Sequence, residues 1–78
     1  MYPNGILFSP EGRILLSFKR DTMNPMNEGF VELWLVMSNN SKQFRFRKRL
    51  SKIKALEQWN YLSNNGWTVI NEETLLAA

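Results

Sequence analysis

Only one stretch of this chain repeats its apolar residues at helical spacing. From Lys52 to about Asn64, Ile53, Leu56, Trp59 and Leu62 recur every three residues with Ala55 alongside, forming one apolar stripe among polar positions. A lone amphipathic helix cannot bury its stripe against itself, so the rest of the chain must supply a sheet for it to lie on. Ser51 suits the N-cap, where its hydroxyl accepts from the free N–H groups of the first turn. Lys54 stands where a capping box would place Glu or Gln, so the box is absent. Asn65 and Gly66 end the helix with a left-handed stop, after which Trp67 folds back on the last turn.

The strands that such a helix requires are legible upstream. Gly5 to Ser9 and Arg13 to Phe18 are apolar runs separated by Ser9, Pro10, Glu11 and Gly12, a tetrad built for a tight turn, and they read as a hairpin. In the second run Ile14, Leu16 and Phe18 alternate with Leu15, Ser17 and Lys19, the period of a half-buried strand. Lys19 to Gly29 loses that period and reads as a connecting loop. Phe30 to Met37 is rich in aromatic and β-branched residues, with Val31, Leu33, Leu35 and Met37 on one face and Phe30, Glu32, Trp34 and Val36 on the other. A strand apolar on both faces is central, and Glu32 points to a second face only partly covered. Ser38 to Ser41 turns the chain into a strand from Gln43 to Arg47, with Phe44 and Phe46 expected inward and Gln43, Arg45 and Arg47 outward. Trp67 to Ile70 is a short final strand. The expected fold is α+β: an antiparallel sheet of about four strands, one C-terminal amphipathic helix packed on one face, and that short final strand. Residues 1–70 form a single domain, and residues 71–78 have no pairing pattern and read as a flexible tail.

Composition narrows the chemistry. The chain has 78 residues and 44% hydrophobic content, enough for one folded domain that buries about 60 to 65% of its unfolded surface. It has no Cys and no His, which removes disulfides, thiolate nucleophiles, imidazole bases and the usual zinc ligands together. The acids are scattered without metal spacing, so neither a metal nor another cofactor is expected, and no enzyme. The N-terminus lacks the basic and apolar regions of a signal peptide, and the longest apolar run, Leu33 to Met37, is far below the ~20 residues of a membrane helix. A soluble, cytoplasmic protein is the expectation.

Charge is distributed unevenly. Lys42, Arg45, Arg47, Lys48, Arg49, Lys52 and Lys54 give seven cations and no acid between positions 42 and 54, a local charge of +7, while the remaining chain sums to −4. Such asymmetry is an argument about partners. The candidate binding residues are Arg45, Arg47, Lys48, Arg49, Ser51, Lys52 and Lys54, where cations, a hydroxyl and the free N–H groups of a helix start converge in sequence, a constellation suited to phosphate or carboxylate. The plain alternative is a solvated polar edge whose Lys and Arg residues keep a strand from pairing. Trp34 marks a second candidate surface, on the sheet face the helix leaves open. Trp59 and Trp67 fit the helix and its closure, and read as packing.

The segments NGILFSPEGRILLSF and KRLSKIKALEQWNYLSNNGWTVI resemble a family of small uncharacterised cyanobacterial proteins of unknown function. The resemblance rests on Pro10, Gly12, Arg13, Arg47, Arg49, Leu50, Ser51, Ala55, Trp59, Leu62, Gly66 and Trp67, and skips Lys19 to Gly29. It implies a shared fold and a cyanobacterial or cyanophage origin, and carries no activity with it. The leading functional expectation is a small non-catalytic module that docks on an acidic protein or assembly through the basic strand–helix junction. The alternatives are a nucleic-acid-binding accessory protein using the same patch and a structural subunit held through the open sheet face. For single-stranded nucleic acid the expectation is weakened by Phe44 and Phe46 facing away from the arginines.

Overall fold

The structure, a computed structural model, describes residues 1–24 and 26–71. Strand β1 (Gly5–Phe8) folds back on β2 (Ile14–Arg20), with Leu7 opposite Leu16 and Phe8 opposite Leu15. Ser9 closes this turn twice over. Its backbone N–H donates to the Ile14 carbonyl at 2.9 Å, and its hydroxyl accepts from the N–H groups of Arg13 and Ile14 at 3.1 and 3.0 Å. Gly12 exits the turn at φ 76°, a conformation that side chains disfavour. β2 pairs with β3 (Gly29–Val36), which pairs with β4 (Lys42–Arg49) through a turn in which Asn40 holds φ 67°.

Helix α1 (Lys52–Ser63) follows, then β5 (Thr68–Ile70), which pairs antiparallel with β1. The architecture is α+β with one antiparallel sheet in the order β4-β3-β2-β1-β5. Five strands replace the expected four or so, because the final segment is a full member of the sheet. Gly66 at φ 91° reverses the chain just past the helix, the Trp67 N–H donates to the Leu62 carbonyl at 3.1 Å, and the next residues reach β1. The loop expected over Lys19 to Gly29 shrinks by a residue or two at each end, since β2 runs through Arg20 and β3 begins at Gly29. Asp21 organises what remains: its carboxylate accepts from the N–H groups of Met23 and Asn24 and from the Asn27 amide at 2.9, 3.1 and 2.7 Å. Of the expected tail, residues 72–78 lie outside the described residues. No helix among the described residues is long and apolar enough to cross a membrane.

The core joins Tyr2, Leu7, Phe18, Val31, Leu50 and Ala55, with Leu16, Trp59, Leu62 and Trp67 packed against them. Trp59 meets Phe18 edge-on with ring centroids 5.3 Å apart. The ring also lies so near Gly5 that a Cβ there would stand 3.0 Å from it. Ile53 is a correction to the expected stripe: it is 68% exposed. Three residues of α-helix fall about 60° short of a full turn, so three successive steps of three carry Ile53 to the side opposite Leu62. The true inward face is Ala55, Trp59 and Leu62, with Leu56 at its border.

β4 carries the second correction. Leu33 stands opposite Phe46 while Trp34 stands opposite Phe44, so Arg45 is the extra residue of a β-bulge. Phe46 therefore lies on the α1 side with Leu33, and Phe44 lies on the other side with Trp34. The two rings expected to share an inward face occupy opposite faces, each 47% exposed on an edge strand.

Gly29 is held closely at the start of β3: a Cβ there would collide with the Tyr2 ring and stand 2.6 Å from the Lys19 carbonyl oxygen. Gly29→Ala should lower stability by about 1–3 kcal/mol, as overpacking does. Ile53→Ser should change it by no more than about 0.5 kcal/mol. Thermal unfolding of the two variants beside the parent checks both outcomes.

Candidate basic binding surface

The cationic residues expected to act together divide among four places. Arg47 and Arg49 oppose Glu32 and Phe30 across the β3–β4 ladder, on the sheet face turned away from α1. Lys48 opposes Val31 on the helix side, and Arg45 sits at the bulge. Ser51, Lys52 and Lys54 form the N-terminal end of α1. What unites them is the sheet edge, because β4 is the outermost strand and residues 43–49 are all exposed.

Arg47 is the one that turns inward. Its guanidinium donates to Glu32 Oε2 from Nη2 at 2.9 Å and from Nε at 3.2 Å, and lies 4.4 Å above the centre of the Phe30 ring. Lys19 Nζ reaches Glu32 Oε1 at 3.4 Å, and the Trp34 indole N–H donates to the same oxygen at 3.4 Å. Only 7% of the Glu32 side chain is exposed, so the acid read as a sign of a partly covered face is itself buried by the residues it binds. Burial raises its pKa more than any single contact lowers it. The Arg47 hydrogen bond, the Lys19 charge and the Trp34 and Lys19 hydrogen bonds together outweigh that penalty and hold the carboxyl below the usual glutamate range.

Trp34 is partly buried and packs edge-on against Phe44 with centroids 5.2 Å apart. Phe44, Trp34, Phe30, Arg47, Arg49 and Lys42 thus share a face, which the sequence does not disclose. The period-two reading of β4 fails at the bulge, and only the pairing partners locate it. Lys19 and Glu28 are the other residues missed, both being remote from the basic run in sequence.

Glu28 matters at the helix start. Ser51 caps α1 as its type predicts, its hydroxyl accepting from the Lys54 N–H at 3.3 Å. The Lys52 N–H donates to Glu28 Oε1 at 3.0 Å, so the carboxylate at this helix end belongs to the chain itself. The junction is anchored further by the Leu50 N–H donating to the Gly29 carbonyl at 3.0 Å and by the buried Tyr2 hydroxyl donating to the Leu50 carbonyl at 2.9 Å. Burial, and secondarily the Glu28 charge, push the Tyr2 phenol up. Among the described residues, Arg45, Lys48, Arg49, Lys52 and Lys54 form no ion pair. No three acidic side chains among them gather into a metal-sized group.

The depressed Glu32 pKa has a defined sign. Its contribution to stability is complete above the unfolded value of about 4.3 and is lost as pH falls through the lower folded value. Glu32→Gln should cost about 1–3 kcal/mol at neutral pH and flatten the acid limb of the stability profile, read by denaturant unfolding at a series of pH values.

Residues 4–74 match the model of a family described as proteins of unknown function, DUF1651, and the chain belongs to that family. No curated protein and no solved structure matches it.

Proposed function

We propose that this member of the family is a small non-catalytic binding module, which docks on an acidic protein or assembly through the basic edge formed by β4 and the first turn of α1. The observation that carries the reading is the unmatched charge on that edge. Arg45, Lys48, Arg49, Lys52 and Lys54 have no ion-pair partner among the described residues, β4 itself holds no acid, and the strand is exposed from residue 43 to 49. Cations so arranged raise the local potential and steer an anionic surface onto the edge. The absence of Cys suits a reducing cytoplasm, and the resemblance noted above adds a cyanobacterial setting.

A second reading is favoured by one feature of the sheet. Phe44, half exposed, shares its face with Trp34, Arg47, Arg49 and Lys42, so aromatic rings and cations lie on one surface, as a single-strand nucleic-acid platform requires. The Arg47 guanidinium is held by Glu32 and Phe44 is edge-on to Trp34, which leaves few open ring faces for stacking. For this reason the acidic protein stands first. Association through Trp34 as a structural subunit stands third, since that ring is partly buried by its own neighbours.

Titration of a labelled polyglutamate peptide and of a labelled oligothymidylate, each across a range of salt, tests the order. Polyglutamate should bind, and Lys48→Glu/Arg49→Glu should weaken it strongly without lowering the melting temperature. Tight binding of oligothymidylate alone, with a salt slope that falls by about one for each neutralised cation, would replace the protein reading by the nucleic-acid one.

A further inference from the structure

We infer that the acidic partner is received by strand addition: an extended, acidic segment of the partner pairs along the open edge of β4 and becomes the sixth strand of the sheet. This rests on the proposed docking at the basic edge and adds its mechanism.

The edge is suited to this by length and by backbone direction. β4 runs for eight residues, whereas the opposite edge strand β5 has three. Only β3 pairs with β4, so one row of its main-chain groups has no partner in the sheet. The Leu50 N–H donates to the Gly29 carbonyl, and alternation along an antiparallel ladder then turns the N–H groups of Arg47 and Arg49 to the open side. Those two amides lie between the bulge at Arg45 and the helix start, in the regular part of the strand, which is where a new strand gains its main-chain bonds.

Charge selects the occupant. Two copies of β4 laid edge to edge would bring Lys42, Arg45, Arg47, Lys48 and Arg49 against the same set, and like charges opposite one another destabilise a pair. The cations that keep this edge from pairing with itself favour a strand carrying carboxylates. The faces refine the pattern further. Arg47 and Arg49 project on the face away from α1, while Phe46 and Lys48 project on the helix side, where Phe46 is half exposed. A segment with Glu or Asp alternating on the first face and an apolar side chain over Phe46 on the second satisfies both. Lys52 and Lys54 extend the positive field beyond the end of the strand.

Three probes separate the outcomes on the ¹⁵N-labelled full chain: a peptide of alternating Glu and Val, the same peptide N-methylated at alternate residues on its pairing edge, and oligothymidylate. The Glu/Val peptide should slow amide exchange at Arg47 and Arg49, and N-methylation should weaken it at least about tenfold by removing main-chain bonds while keeping the charge. Lys48→Gln/Arg49→Gln should weaken it roughly fivefold. Equal binding of the two peptides overturns strand addition and leaves acidic docking standing. Failure of both peptides, with or without binding of oligothymidylate, overturns strand addition and the acidic-partner reading together.

Discussion

A carboxylate with 7% of its side chain exposed has to be paired, and the pairing of Glu32 orders the rest of this sheet. Glu32 lies on β3, with Lys19 reaching it from β2 at 3.4 Å and Arg47 from β4 at 2.9 Å. Three strands are thereby tied at one point by charge as well as by their ladders. A one-residue slip of β4 would swing Arg47 to the helix side and cost the carboxylate both guanidinium hydrogen bonds, so the pair favours the observed register. This matters most for β4, because an exposed edge strand with few buried side chains has little else to fix which way each residue points.

Fixing Arg47 also divides the basic run into two kinds of cation. One is structural, folded over Phe30 and held by an acid. The others stand outward along an unpaired edge, where they oppose self-association and attract an anionic partner by the same Coulomb term. Edge protection and recognition are therefore aspects of one arrangement. A neutral edge of eight residues with half-exposed phenylalanines at two positions would invite any strand; a cationic one restricts the invitation by sign.

The sequence was informative wherever a local rule operated alone. Ser51 as cap, Gly66 as stop and the Ser9–Gly12 turn all depend on residues within a few positions of one another, and each is found as its residue types predict. β2, expected to be half-buried, is covered on both faces, Leu15 and Ser17 on one and Phe18 on the other. The sequence was uninformative where a feature depends on what lies opposite. The bulge at Arg45 exists only as a mismatch with Leu33 and Trp34, so the faces of Phe44 and Phe46 could not be read from alternation. Ile53 satisfied a spacing of three yet left the core, because the stripe precesses around the helix and only the sheet decides which part of it is used. For the candidate site, the run of cations was legible in full. Its division into inward and outward members was not, since Glu32 lies 15 residues from Arg47.

The acids explain why the outward charge survives in so small a chain. Five acids fall among the described residues, and three of them answer internal needs: Asp21 closes its own loop, Glu28 receives the Lys52 N–H, and Glu32 holds Arg47 and Lys19. The first turn of α1 contains no acid and two lysines, an arrangement its dipole opposes, and Glu28 offsets this from the far end of the 21–28 loop. Loop, helix start and sheet face thus each take up a carboxylate in hydrogen bonds of the fold, and β4 itself carries none. The positive surface is consequently more than an excess of lysine and arginine in the sequence: Asp21, Glu28 and Glu32 are each committed to hydrogen bonds of the fold, and of the β4 cations only Arg47 is taken up in an ion pair among the described residues.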